Sequence, residues 1–312
     1  MVKRMIKTNF FDFKKCIAFF TAILMIVWVF SYTTNNYSDA ANSSLTYRVY
    51  NAKTGGLLRT YTLAPLETDD NSRAVINTDD RVIDWTKSGV VKILTKTSSI
   101  SSFGSGFVVG KHTIATAAHC LYGYADGTPR SVSEVLLFDT SGNVSLRATP
   151  VEYHVPTKFI NAVSDETYHA ISDYALITVK EDLSAYMCFD LGVPTDSFKN
   201  KNATVTVTGF PYEYNSSTKH MKYSGNGKIK KLPDEYDDNN LLFYDTDTSK
   251  GNSGGPVFLT ESLRGETYYT VVAINVGDGS YEENGKEYPI NAGMRITTDL
   301  IHFYKSNKNL NY

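Results

Sequence analysis

Cysteine is scarce, with three in 312 residues and none in a CxxC pair. That excludes a disulfide-dense scaffold and a structural zinc site built on paired cysteines. A basic surplus is missing too: 31 Lys and Arg stand against 33 Asp and Glu, for a formal net charge of −2. Nothing is left over to neutralise phosphates, which excludes a nucleic-acid binder. Five of the six histidines, His112, His154, His169, His220 and His302, form no HExxH-like arrangement, and no acidic spacing matches an EF-hand. No metal and no cofactor are therefore expected.

What is present is the composition of an ordinary folded protein, with 42% hydrophobic and 21% charged residues. The length suits two ordinary domains or one large all-β unit. The 22 tyrosines, many set among Ser, Thr, Asn and Gly, favour strands and loops.

The N-terminus reads as an address. Lys3, Arg4, Lys7, Lys14 and Lys15 make a basic start, Ile17 to Phe30 is 14 residues with one polar member, Thr21, and a polar stretch then ends in Ser38-Asp39-Ala40. This order predicts a secretory signal over 1–40, cleaved after Ala40, and an extracellular protein. The apolar run is shorter than the roughly 20 residues a spanning helix needs. An uncleaved signal is the one route to a membrane. Residues 41–73 are polar and end in Glu67-Thr68-Asp69-Asp70-Asn71-Ser72-Arg73. Two readings stand: a pro-segment removed near Arg73 by an activating protease, or a loose arm that stays.

The rest predicts strands and turns. Val90–Thr95, Gly106–Val109, Val135–Phe138, Tyr174–Val179, Ala203–Thr208, Leu241–Tyr244, Gly255–Leu259 and Tyr269–Asn275 are β-rich runs between Gly, Asn and Asp turns. Only the tail, Thr298 to Lys308, has helical spacing of apolar residues. A composition dip at 192–200 suggests two halves, 74–193 and 194–312. Cys120 and Cys188 could pair outside the cell, and spacing does not decide whether they do.

Three short segments carry chemistry: Thr116-Ala117-Ala118-His119-Cys120, Ser172-Asp173-Tyr174-Ala175-Leu176-Ile177 and Gly251-Asn252-Ser253-Gly254-Gly255-Pro256. Each alone has a plain structural reading: a packed histidine, a strand start, a flexible turn. Together they supply what an acyl-transfer site needs. A serine hydroxyl is a poor nucleophile without a base, the base needs a carboxylate to hold its tautomer, and the developing oxyanion needs N–H donors.

These segments, in this order, resemble the chymotrypsin-like serine proteases over essentially all of 75–305. The resemblance implies an all-β chain of two packed six-stranded antiparallel barrels with a C-terminal helix, His and Asp on the first barrel, Ser and the specificity pocket on the second. It implies His119 as general base, Asp173 as its orienting group, Ser253 as nucleophile, and Gly251 and Ser253 as the oxyanion hole. A protein or peptide substrate and a monomer are expected.

Four stretches are similar to the bacterial glutamyl endopeptidase branch: Ala74-Val75-Ile76-Asn77-Thr78-Asp79-Asp80-Arg81, Val207-Thr208-Gly209-Phe210-Pro211, Gly227-Lys228-Ile229 and Asp245-Thr246-Asp247-Thr248-Ser249. The first favours pro-segment removal near Arg73. Asn252 stands where animal relatives carry an aspartate, so the ion pair they form with a freed N-terminus cannot form; the amine of Ala74 or Val75 is expected near the substrate side chain instead. The resemblance implies Thr248 and Asn275 as pocket residues, but the branch's histidine is here Asn275, which brings no positive charge. Lys250 either restores charge at the rim or is a solvated surface lysine. Asp247 points to Arg or Lys substrates instead. Preference for Glu or Asp before the scissile bond, trypsin-like preference, and a catalytically idle binding homologue all remain open at this point.

Overall fold

The computed structural model describes residues 45–51, 54, 56–63, 79–97, 101–123, 127–162, 172–194, 203–232 and 240–307. The signal over 1–40, the cleavage points after Ala40 and near Arg73, and the amine of Ala74 or Val75 lie outside them.

Among the described residues seventeen strands follow one another. They are β1 (Leu45–Asn51), β2 (Leu57–Leu63), β3 (Val82–Ile83), β4 (Val90–Lys96), β5 (Ser101–Gly110), β6 (Thr113–Thr116), β7 (Ser131–Phe138), β8 (Val144–Ala148) and β9 (Pro150–Pro156). After a short helix α1 (Thr157–Asn161) come β10 (Ala175–Val179), β11 (Asp190–Leu191), β12 (Thr204–Gly209), β13 (Tyr223–Lys228), β14 (Leu241–Tyr244), β15 (Pro256–Leu263), β16 (Glu266–Glu283) and β17 (Lys286–Arg295). Helix α2 (Thr298–Asn307) ends the described chain.

The strands form two curled sheets, the double-β architecture the resemblance implies. One has nine strands in the order β2-β1-β9-β10-β6-β5-β4-β7-β8; the other has eight, β14-β17-β16-β15-β12-β13-β3, with β11 beside β16. The hairpin β1–β2 brings the first sheet from seven strands to nine, while the two-residue pairings of β3 and β11 bring the second from six to eight.

Within 41–73, Leu45–Asn51 and Leu57–Leu63 form this hairpin and are not loose. Thr54 and Gly56 mark the turn region between two β-rich runs, and β1 pairs antiparallel along β9 from Tyr47↔Pro156 to Asn51↔Glu152. Backbone pairing to an existing edge stabilises a stretch whose composition is polar.

Apolar side chains of both sheets meet in one core. Val91, Phe107, Ile114, Leu136, Phe138, Leu176 and Ile177 come from the first sheet, and Phe258, Val271 and Ile274 from the second. Aromatic contacts cross between the halves: Phe138 packs 5.2 Å from Phe210, and Phe189 lies 5.5 Å from Phe258. Lys92 is fully buried, and its ammonium donates to Ser216 O at 2.7 Å, Lys219 O at 3.0 Å and Asn215 Oδ1 at 3.1 Å, tying β4 to the loop after β12. Burial lowers its pKa to about 8. The C-terminal helix returns to the first half, where Phe303 meets Tyr174 and His154 edge-on.

Candidate active site

Register brings the first two chemical segments together. β10 runs antiparallel to β6 with Ala175 opposite Thr116. Asp173, two residues before Ala175, therefore falls beside the turn that follows Thr116. That turn is a single 3-10 turn over Ala118–Cys120, and Ala117 and Ala118 are fully buried, so small side chains let it pack against the sheet.

Asp173 then grips His119 at two points. The His119 backbone N–H donates to Oδ1 at 2.9 Å, and the ring's Nδ1–H donates to Oδ2 at 2.6 Å. The carboxylate is 8% exposed and the imidazole 27%, so the far side of the ring faces outward. Burial disfavours a charged ring, but the Asp173 carboxylate, aided by Cys120, outweighs it and holds the His119 pKa well above its ordinary value.

Ser253 sits in a loop pressed against the first sheet. Gly251 and Gly254 adopt φ of +91° and +83°, conformations that L side chains resist. Space forbids a side chain as well: a Cβ on Gly251 would lie 2.3 Å from the Phe210 carbonyl, and one on Gly254 would lie 2.2 Å from the Ser105 carbonyl. The loop's carbonyls are held from β5. Ser105 N–H donates to Ser253 O at 2.8 Å, and the Ser105 hydroxyl donates to Gly251 O at 2.7 Å while accepting from Phe210 N–H at 3.0 Å.

The N–H groups of Asn252, Gly254 and Gly255 are taken by Ser249, Asn275 and Asn252 carbonyls. Among the described residues, the N–H groups of Gly251 and Ser253 have no protein acceptor. Two donors left open two residues apart, beside a partly exposed serine, can receive an anionic oxygen. The bond from His119 Nε2 to Ser253 Oγ is not formed among the described residues. Such contacts commonly tighten only when substrate is bound. The Cys120 thiol, adjoining His119, reaches Ser253 O at 3.5 Å, which places the histidine turn and the serine loop side by side.

The pocket residues divide. Thr248 donates its hydroxyl hydrogen to Asn291 Oδ1 at 2.7 Å. Asn275 is tied by its backbone to Gly254 and Gly255, and its Oδ1 accepts from Tyr244 OH at 2.7 Å. Lys250 is exposed, and its carbonyl accepts from Tyr212 N–H. Asp247 Oδ2 accepts from the Asp80 N–H at 3.3 Å. Burial raises its pKa, an effect reinforced by Asp79 and Asp80 and opposed by that hydrogen bond and by Arg81. Arg81 in turn pairs with Asp79 at 2.8 Å and Glu213 at 2.6 Å, fastening the 79–83 segment beside Ser249. Asn252 is buried, and its Oδ1 accepts from Ser249 N–H. Cys120 is buried and Cys188 exposed, and the two form no disulfide with each other.

Ser105, Tyr244, Asn291, Arg81 and Glu213 escaped the sequence reading. The Gly104-Ser105-Gly106 run hinted at close backbone approach for the first, but the others are joined to the site by pairings far apart in sequence. Among the described residues no cluster of His, Cys, Asp and Glu could hold a metal ion, and no helix is long and apolar enough to cross a membrane.

Residues 104–264, just over half of the chain, match the family model of the trypsin-like peptidase domain. The chain is 26% identical over 243 residues to a glutamyl endopeptidase of Bacillus licheniformis, covering 76% of this chain and 70% of that protein. It is 25% identical over 242 residues to a glutamyl endopeptidase of Staphylococcus aureus strain MW2, covering 75% of this chain and 65% of that protein. Among solved structures, a Glu endopeptidase in complex with MPD matches with a TM-score of 0.57 at 20% identity over 75% of this chain and 99% of its own. The protease Anisep of Arthrobacter nicotinovorans matches with a TM-score of 0.51 at 17% identity, over 72% and 98%. With the double-β fold in place and the peptidase model spanning both the histidine and the serine segments, the chain belongs to the trypsin-like peptidase family and is a serine-type endopeptidase.

Proposed function

We propose that the protein is a secreted endopeptidase that cuts peptide bonds through an acyl-enzyme on Ser253. His119 Nε2 takes the proton of the Ser253 hydroxyl as Oγ attacks the scissile carbonyl. The carbonyl oxygen becomes anionic and is received by the N–H groups of Gly251 and Ser253. His119 then hands the proton to the leaving amine, and a water repeats the sequence to release the acid. Asp173 holds the ring in the tautomer that presents Nε2 as acceptor and stabilises the imidazolium while it exists. The observation that carries this reading is the two-point hold of Asp173 on His119. Binding both the backbone N–H and the ring with one carboxylate fixes the ring's tautomer and its orientation.

The relatives' names bring to the proposal a side chain of glutamyl size before the scissile bond, and Thr248 and Asn275 supply polar groups, neither of them charged, to meet its end. Trypsin-like preference is the weaker alternative, because the Asp247 carboxylate is engaged by the Asp80 N–H. Secretion follows from the 1–40 signal pattern, and an activating protease cutting near Arg73 completes maturation. The substrate is a protein or peptide.

A serine-reactive phosphonate tests the reading. Labelling at Ser253, found by peptide mass and lost in His119→Ala, supports it. A chain that hydrolyses nothing and takes no label is an idle homologue.

A further inference from the structure

Behind the pocket, Asn291 is held in one orientation. It lies on β17, opposite Tyr244 of β14, and is 1% exposed. Its Nδ2 donates to the Thr246 carbonyl at 2.6 Å. The flipped amide would set two acceptor oxygens against each other at that distance, so the orientation is fixed. Oδ1 therefore faces Thr248, 2.7 Å away. An amide oxygen only accepts, so the Thr248 hydroxyl hydrogen is committed to Asn291. What Thr248 has left for a ligand is lone pairs.

Asn275 is the converse. Its Oδ1 is occupied by the Tyr244 hydroxyl at 2.7 Å. Tyr244 is fully buried, and burial raises its pKa well above the ordinary value, so the phenol keeps its hydrogen. Among the described residues Asn275 Nδ2 has no protein acceptor. Its backbone is strapped to Gly254 and Gly255, directly after the nucleophile. The two groups thus offer one acceptor and one donor, both uncharged.

We infer that Asn291 sets this pocket to read a carboxamide, so that glutamine is preferred to glutamate before the scissile bond. A carboxamide oxygen accepts from Asn275 Nδ2 and its nitrogen donates to Thr248 Oγ1. A carboxylate has no hydrogen to give. It would face the Thr248 lone pairs or force the hydroxyl to abandon Asn291, leaving a buried acceptor unsatisfied. The charge around the segment points the same way. Among the described residues Asp79, Asp80 and Asp247 gather beside the pocket loop, and the Arg81 guanidinium bonded there is already paired with Asp79 and Glu213. The inference rests on the proposed function, since it takes Ser253 as nucleophile and Thr248 and Asn275 as pocket lining.

The test uses mature protein and four fluorogenic peptides that differ only in Gln, Glu, Asn or Arg before the cut. At pH 7.5 the expected kcat/KM for Gln exceeds that for Glu by about tenfold or more. Acidification toward pH 5 is expected to shrink the Gln-to-Glu ratio, because protonated Glu gains the missing donor while both substrates share the same His119. Asn291→Ala frees the Thr248 hydrogen and is expected to bring the ratio near one. If that variant does not fold, Thr248→Val is expected to lower the ratio by removing the acceptor. Wild-type protein that favours Glu or Arg, or a ratio that Asn291→Ala leaves unchanged, overturns the inference while the endopeptidase reading stands. Failure to cut any peptide, with no phosphonate label on Ser253, removes both.

Discussion

The Ser105 hydroxyl of β5 donates to the Gly251 carbonyl at 2.7 Å, reaching from the first sheet into the nucleophile loop. With Ser105 N–H on the Ser253 carbonyl, one residue fixes peptide units 251–252 and 253–254, which flank the unit joining Asn252 to Ser253. His119, the proposed base, follows β6 of the first sheet, and Ser253, the proposed nucleophile, precedes β15 of the second, so a tie at this point bears on the geometry of both.

Ser105→Ala keeps the backbone bond to Ser253 and loses the hold on Gly251. The Gly251 N–H, still held through the Lys250 carbonyl by Tyr212 N–H, is then loosened through the adjoining peptide unit. Since losing one oxyanion donor outright costs about a hundredfold or more, this indirect loss is expected to lower kcat by roughly tenfold with little change in KM. Steady-state kinetics on a single peptide read the split, and a change confined to KM would contradict the role.

Asp173→Asn keeps the shape and reverses the hydrogen-bond logic at Nδ1. An amide cannot stabilise the imidazolium, and it can turn the ring to the wrong tautomer. A fall in kcat of about four orders of magnitude is expected. Far-ultraviolet circular dichroism separates this from unfolding, and a variant with near-normal turnover would remove Asp173 from the mechanism.

Acid should silence the site at a higher pH than a free histidine predicts. His119 acts as a base only when neutral. Asp173 favours its protonated form, so the folded-state pKa is raised. Activity is therefore lost as pH falls through that raised value and is present above it. A kcat/KM profile for an uncharged substrate should show an acid limb above the ordinary histidine value of about 6.5. An acid limb below it would mean that burial outweighs the carboxylate.

Gly104 and Cys120 are placed for a bond that the native chain lacks. A Cβ built on Gly104 lies 2.7 Å from Cys120 Sγ, and the closed loop would span the histidine turn. Gly104→Cys is expected to form a disulfide under air, adding about 3 kcal/mol through loop closure. Melting with and without reductant measures it, and equal melting temperatures would contradict the expectation.

The triad candidates were legible in the sequence because each lies in a short local segment whose small neighbours announce tight packing. Strands β4, β7, β12 and β14 were legible for a similar reason: their residues are apolar enough to mark themselves. The β1–β2 hairpin was not, since its stability comes from backbone pairing to β9 rather than from an apolar run. Strand β17 was hidden as well, for Lys286 to Pro289 is polar and interrupted by proline. With β17 unseen, Asn291 could not be matched to Thr248, 43 residues away. The pocket's polarity is thus a property of strand register, which no local segment encodes.

The central claim is that Ser253 becomes acylated. Mixing mature protein with an activated peptide ester, quenching in acid within the first turnover and digesting for mass spectrometry tests it directly. One acyl group is expected on the peptide containing Ser253, absent in His119→Ala. An acyl group on another residue, or rapid hydrolysis with no adduct at Ser253, would contradict it.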